Sequence, residues 1–338
     1  MPSARVIAAL FLALTAGIPA FAAGAANTIK IATVAPEGST WMNLMDELSE
    51  RVKTETDGRV KVRFYPGGVQ GDEKVVLRKM ITGQLQGAGL TGVGLGELAP
   101  QLRVLELPLL FRTQDEVRSV HERMDPDFEA ILEKRGFTLL GWSEVGFIYL
   151  FSKEPVRNGA DLRRMKAWLW EGDPLAEAFL NELGVSPVPL GVTDVMTGLQ
   201  TGLVEAVYVS PLAAIALQWF SRVSYVTDLP VTHALGAVVV KSDALAELSA
   251  ADRETVMRLA RDVFGKLAVA TEKENLRARE VLVERGLQFV KPDPATREEF
   301  EAIGDRVRGR LTGKLYDEAL LTRVLDAVDA ARTTGAAD

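Results

Sequence analysis

The chain has 338 residues, 47% hydrophobic and 25% charged, the balance of an ordinary globular protein with room for two domains around separate cores. A net charge of -7, with no basic patch interleaved with aromatics, excludes a nucleic-acid partner. The absence of cysteine excludes disulfides, zinc–thiolate sites and cysteine nucleophiles. The two histidines, His121 and His233, stand at no metal-ligand spacing, so neither a metal nor any other cofactor is expected.

Arg5 and the free amine precede an apolar run over residues 6–18, followed by the small-x-small sites Ala20-Phe21-Ala22 and Ala23-Gly24-Ala25. The run is shorter than the roughly 20 residues that span a bilayer, and no cysteine follows it to carry a lipid. Residues 1–25 are therefore expected to be a signal peptide. The mature protein would begin between about Ala23 and Asn27 and would be exported to the periplasm in soluble form.

Residues 28–34 (TIKIATV) read as the first strand, with Ser39 or Thr40 capping a helix that ends at Asp57-Gly58. Residues 60–65 alternate as a second strand. Asp72 then caps a helix to about Thr82, and residues 85–90 are a third strand, which gives the βαβαβ opening of a doubly wound sheet. The run Gly87-Ala88-Gly89-Leu90-Thr91-Gly92 matches GxGxxG literally, but Val93-Gly94-Leu95-Gly96 is too glycine-rich to open a firm helix. It reads instead as a sheet-edge loop passing close to something. Residues 105–111 (LELPLLF) form a buried turn, and residues 114–135 a helix whose second part opens at Pro126. Strands over 137–142 and 146–151 carry the chain from the first domain to the second.

The next stretch reads as strand, helix, strand, helix, strand. Residues 165–170 are apolar and aromatic, Asp173-Pro174 is an N-cap and N1 pair, and Gly184 is a stop. The proline-rich 186–190 belongs at a sheet edge, Thr193 caps a short helix ending near Gly202, and 204–209 is β-rich. A helix over 211–220 and a strand over 235–240 follow. Residues 249–286 then form either one helix of about 55 Å bracing both domains or two helices broken at Gly265. Residues 287–290 and two amphipathic helices complete the chain. Domain I is assigned residues 28–145 and 235–270, and domain II residues 146–234 and 271–333.

Several of these runs resemble one family. IATVAPEGSTW, YPGG with GDE, LPLLF, and above all LGVSPVPL followed by DVMTGLQTGLVEAV are similar to the solute-binding subunits of TRAP transporters, the DctP family, across essentially the whole mature chain. The resemblance implies an α/β fold, a two-domain clamp of the periplasmic-binding-protein kind, with an interdomain cleft and a long helix bracing both domains. It implies a receptor that closes over a small-molecule ligand and delivers it to integral-membrane TRAP subunits. A sensor or another periplasmic protein as partner is not separated from this by sequence.

The family pattern places one substrate-pairing arginine on the strand after a DLKG-like motif and a second after a Gly-Phe in the crossing strand. Here these positions are Trp168 and Ile148. Tryptophan cannot replace a bidentate arginine–carboxylate clamp. The Trp168-Leu169-Trp170-Glu171 strand is similar to that of a subgroup lacking this arginine, which implies an uncharged or hydrophobic ligand. The alternative is a carboxylate receptor with a non-standard clamp, for which Arg163, Arg164 or Lys166 would have to serve.

The ligand-binding candidates are Trp168 and Trp170, which share one strand face, Tyr208 on the strand leading to Ser210-Pro211, Trp41, Trp142, Phe147, Ile148 and Glu171. Trp219 is a weaker one. Phe147 and Ile148 alternate, so one of them faces the cleft. Each aromatic has a core-packing reading beside the ligand reading, and Glu171 an exposed-turn one. No nucleophile elbow or metal spacing accompanies Glu37, Glu144, Glu171 and Asp173, so no enzymatic activity is expected.

Overall fold

The computed structural model describes residues 26–335, so the expected signal peptide lies outside the described residues. The first strands are β1 (Asn27–Thr33), β2 (Val60–Tyr65), β3 (Gly87–Thr91), β4 (Phe137–Trp142) and β5 (Gly146–Ser152). They are followed by β6 (Trp168–Trp170), β7 (Val188–Leu190), β8 (Ala206–Val209), β9 (Tyr225–Thr227), β10 (Thr232–Ala234), β11 (Gly236–Lys241) and β12 (Gln288–Val290).

One five-stranded sheet has the order β2-β1-β3-β11-β4. Its parallel part, β2-β1-β3, is the βαβαβ unit, and β11 returns antiparallel between β3 and β4. Between β1 and β2 runs the helix Thr40–Glu55, capped by Ser39, whose Oγ accepts from Met42 N. Its buried Met42, Met45, Leu48 and Val52 lie at helical spacing. They share one core with Ile29, Ile31, Val238 and Val240 of the sheet and with Val256, Leu259 and Val263.

β4 is an edge of this sheet, while β5 lies in the second sheet between β10 and β9 and also pairs antiparallel with β8. Residues 143–145 thus carry the chain from one sheet to the other. β6 and β7 form a separate parallel pair. The long helix runs unbroken over Ala250–Glu284, 35 residues or about 52 Å. It packs on the helix Thr40–Glu55 and β4 at one end and on the helix Pro211–Ala216 and β5 toward the other. This mixed α/β arrangement is that of a two-part clamp.

Four local expectations change. A helix, Gly92–Leu98, does open directly after β3, capped by Thr91. Its glycines leave room for buried charged side chains: a Cβ at Gly92 would stand 1.8 Å from Glu106 Oε2, at Gly94 2.6 Å from Glu73 Oε2, and at Gly96 2.9 Å from Arg103 Cδ. The space a nucleotide phosphate would need at this turn is filled by the chain's own carboxylates. The helix Gln114–Lys134 continues through Pro126. Thr193 lies inside a 3-10 turn, Val192–Asp194, ahead of the helix Val195–Thr201, and does not cap it. The helix from Pro211 stops at Ala216; Gln218, at φ 60°, turns the chain into a second 3-10 turn that buries Trp219.

Candidate ligand-binding site

A cavity of about 650 Å³ opens between the two halves. The loop after β1 and the start of the helix Gly92–Leu98 line one side, β5, β6 and β8 the other, and residues of the long helix the flank. Most of the lining is aliphatic or aromatic, as in ligand clefts generally.

The aromatic wall is built on β6. Trp168 is 2% exposed, stacked on Tyr208 at 4.7 Å between ring centroids and edge-on to Trp219 at 5.3 Å. Its indole Nε1 donates to Leu190 O at 3.0 Å. Trp170 lies two residues on and 5.9 Å away. Its backbone N donates to Tyr208 Oη at 3.0 Å, and its Nε1 to Asp72 Oδ2 at 3.3 Å. Burial, with Asp173 nearby, pushes the Tyr208 phenol well above its ordinary value, so it remains a neutral hydroxyl. Trp41 meets Phe64 edge-to-face at 6.0 Å, and a Cβ on Gly89 would stand 2.9 Å from its ring, so Gly89 makes room for it.

Beneath this wall lies a buried ionic group. Arg103 Nη2 donates to Asp173 Oδ1 at 2.7 Å, and Arg103 Nε stands 3.0 Å from Glu106 Oε2. The second contact brings the charges together without an aligned hydrogen bond: neither atom has a hydrogen-bond partner among the described residues. Glu106 Oε1 accepts from Leu235 N at 2.7 Å, and Asp173 Oδ1 caps the helix Pro174–Glu182 at Leu175 N and Ala176 N. Burial disfavours the Arg103 cation, but Asp173 and Glu106 outweigh it and hold the guanidinium above its ordinary value. Burial pushes Glu106 up, with Arg103 pulling against it. Glu144, also in the lining, accepts from Gln114 Nε2 at 2.6 Å, with His233 Nε2 3.5 Å away and not aligned for a hydrogen bond.

Of the residues singled out from sequence, Trp41, Ile148, Trp168, Trp170 and Tyr208 line the cavity, as does Trp219. Three lie outside the lining. Phe147 alternates with Ile148 and packs on His233 at 5.0 Å. Trp142 is half-buried and packs against the core, with His121 at 5.1 Å and Phe128 at 6.3 Å. Glu171 is exposed in the turn after β6. The substitute clamps also point elsewhere: Arg163 donates to Leu183 O, Arg164 pairs with Asp161, and Lys166 donates to Gly202 O. Sequence reasoning missed Arg103, Glu106, Glu274 and Arg277 as lining residues, and Asp173 as more than a cap. A signal for the first pair existed: Arg103 and Glu106 stand at i, i+3 within the apolar run LRVLELPLL, where charges need each other.

Residues 31–311 match the model of the bacterial extracellular solute-binding protein family 7, DctP. A solute-binding protein of Roseobacter denitrificans is 29% identical over 281 residues, which is 79% of this chain and 82% of that protein. Among solved structures, an extracytoplasmic solute receptor of Bordetella pertussis binding pyroglutamic acid superposes with a TM-score of 0.83 at 19% identity, covering 90% of this chain and 100% of that one. A TRAP periplasmic solute-binding protein of Citrobacter koseri with bound D-glucuronate gives a TM-score of 0.78 at 26% identity, over 88% and 99% of the two chains.

Proposed function

Because the chain belongs to the bacterial extracellular solute-binding proteins of family 7, the DctP family, we propose that it is the solute receptor of a TRAP-type secondary transporter that takes a small uncharged or largely apolar ligand. The ligand enters the cleft between the two halves, the halves close over it, and the closed receptor presents it to the integral-membrane subunits in the periplasm.

The observation that carries the ligand class is the identity of two wall positions. The family resemblance places substrate-pairing arginines where this chain has Trp168 and Ile148, and both side chains line the cavity. An anionic group brought against them would lose its water and gain no cation, which is strongly unfavourable. A ligand with an apolar body would instead gain about 25 cal/mol for each Å² it buries. The wall N–H groups of Trp168 and Trp170 already have acceptors, Leu190 O and Asp72 Oδ2, so the wall recognises shape and aromatic contact.

One observation favours a second reading, a carboxylate held in a non-standard pose. Arg277 of the long helix lines the cavity, and its side chain has no ion-pair or hydrogen-bond partner among the described residues. The relatives from Bordetella pertussis and Citrobacter koseri both hold carboxylic acids.

The deciding experiment is to purify the mature protein, denature it and identify released small molecules by mass spectrometry. A neutral or lipid-like aromatic or aliphatic compound is expected. A carboxylic acid would retain the receptor and overturn the apolar reading. Trp168→Arg is expected to abolish binding of the released compound, and unchanged affinity in that variant would remove Trp168 from the site.

A further inference from the structure

The group formed by Arg103, Glu106 and Asp173 has a composition that an anion-binding site would not have. It holds one guanidinium and two carboxylates, with side chains 4%, 7% and 5% exposed, and all three residues line the cavity. Arg103 and Glu106 sit on the 3-10 turn Pro100–Glu106, which packs on the helix Gly92–Leu98 beside the first sheet. Asp173 comes from the other half, at the start of the helix that follows β6. The pair Arg103–Asp173 therefore joins the two halves beneath the aromatic wall.

We propose that Asp173 is a built-in counter-anion: it occupies the guanidinium of Arg103 in place of a ligand carboxylate, draws the two halves together, and sets the receptor against anionic ligands. The inference rests on the reading of the cavity as a receptor for an uncharged ligand, and adds the residues that enforce it.

Three features make this a constructed arrangement. Gly92 and Gly96 clear the space for Glu106 and Arg103, since a Cβ at either would stand 1.8 Å and 2.9 Å from those side chains. Each carboxylate is also fixed by backbone donors, Leu235 N for Glu106 and Leu175 N and Ala176 N for Asp173, so neither swings away to release the arginine. The charge count leaves one carboxylate in surplus. A ligand carboxylate approaching Arg103 meets a guanidinium already occupied and that surplus charge beside it, and like charges in a desolvated site repel strongly. An uncharged ligand is not penalised in this way. Specificity here is rejection as much as attraction.

The test uses Asp173→Asn, which keeps the outline and a good N-cap while removing the charge, and Glu106→Gln as the second variant, whose side-chain oxygen can still accept from Leu235 N. Binding of 3-phenylpropan-1-ol and 3-phenylpropanoate, probes alike except for the head group, is measured by calorimetry at fixed ionic strength. Small-angle scattering of the ligand-free proteins reports closure. The wild type is expected to favour the alcohol by at least tenfold. Either variant should narrow that ratio at least tenfold, and Asp173→Asn, which alone breaks the pair joining the halves, should also show a larger radius of gyration without ligand. If the wild type favours the alcohol and the ratio and radius are unchanged in both variants, the counter-anion is overturned and the apolar reading stands. If the wild type favours the carboxylate, both fall. If neither probe binds, the radius of gyration decides: an unchanged radius in Asp173→Asn overturns the proposal.

Discussion

Glu73 begins the helix Glu73–Ile81 with its carboxylate buried, accepting from Thr91 N at 2.7 Å, Thr91 Oγ1 at 3.0 Å and Gly94 N at 2.7 Å. Burial raises its pKa from 4.5 to about 7, and the three donors only partly offset this. The unfolded chain thus loses this proton near pH 4.5 while the folded chain keeps it until about pH 7. Stability from this site is full below pH 4.5, falls as pH rises from 4.5 to about 7, and is level above. Glu73→Gln should therefore gain on the wild type by up to about 3 kcal/mol between pH 4.5 and pH 8, at 1.36 kcal/mol per unit. Urea unfolding at both pH values measures it, and an equal difference at the two would remove the effect. Sequence reasoning did not single out Glu73. Nothing in a glycine-rich run around Gly94, 21 residues later, announces that a carboxylate will fill it, because that burial is set by packing of the helix Gly92–Leu98. Trp168 was legible because alternation on a strand depends on local geometry alone.

At the scale of elements, the long helix settles between two readings the sequence left open. Glycine weakens a helix through the entropy of its unfolded state, but a single one does not break a helix whose flanking turns are buried. Leu259, Val263, Phe264 and Leu267 hold both sides of Gly265 in the core shared with the helix Thr40–Glu55. A Cβ at Gly265 would meet nothing within 4 Å. Gly265→Ala should raise stability by about 0.5–1 kcal/mol and leave ligand affinity unchanged. A fall in melting temperature would show that the backbone there is not an ordinary helix. The helix from Pro211 shows the opposite outcome: sequence runs it to Phe220, yet Gln218 adopts φ 60° and the chain turns. Burying Trp219 against Trp168 rewards that turn, a long-range contact that helix propensity does not contain.

For the whole molecule, the two halves are joined by more than the strands that cross between them. Asn275 of the long helix donates to Val145 O in the crossing segment and accepts from Leu212 N, both at 3.1 Å. Asp72 caps the helix Glu73–Ile81 and also accepts from Trp170 Nε1 and from Val192 N at 3.2 Å, so one carboxylate from the first half holds two groups of the second. Asp72→Ala should cost about 1 kcal/mol through the lost cap and speed hydrogen exchange at the Val192 amide. Asp72→Asn should restore most of the cap. Unchanged protection at Val192 in Asp72→Ala would mean that the clasp does not form in solution.

Local rules were enough for the βαβαβ opening, the Asp72 and Asp173 caps, the first cap to within Ser39 or Thr40, and Trp168 and Trp170 on one face. Each follows from periodicity or from a side chain reaching its own neighbouring backbone, and both are written in consecutive residues. The family likeness was legible too, in runs such as LGVSPVPL. Only the tertiary structure decided which of the aromatic candidates line the cavity, leaving Trp142 and Phe147 half-buried against the core outside it. It also brought Arg103 to Asp173, 70 residues away along the chain. The physical reason is that a buried charge selects its partner by proximity in the folded chain, where the low dielectric makes an unpaired charge costly, and sequence separation places no limit on that choice.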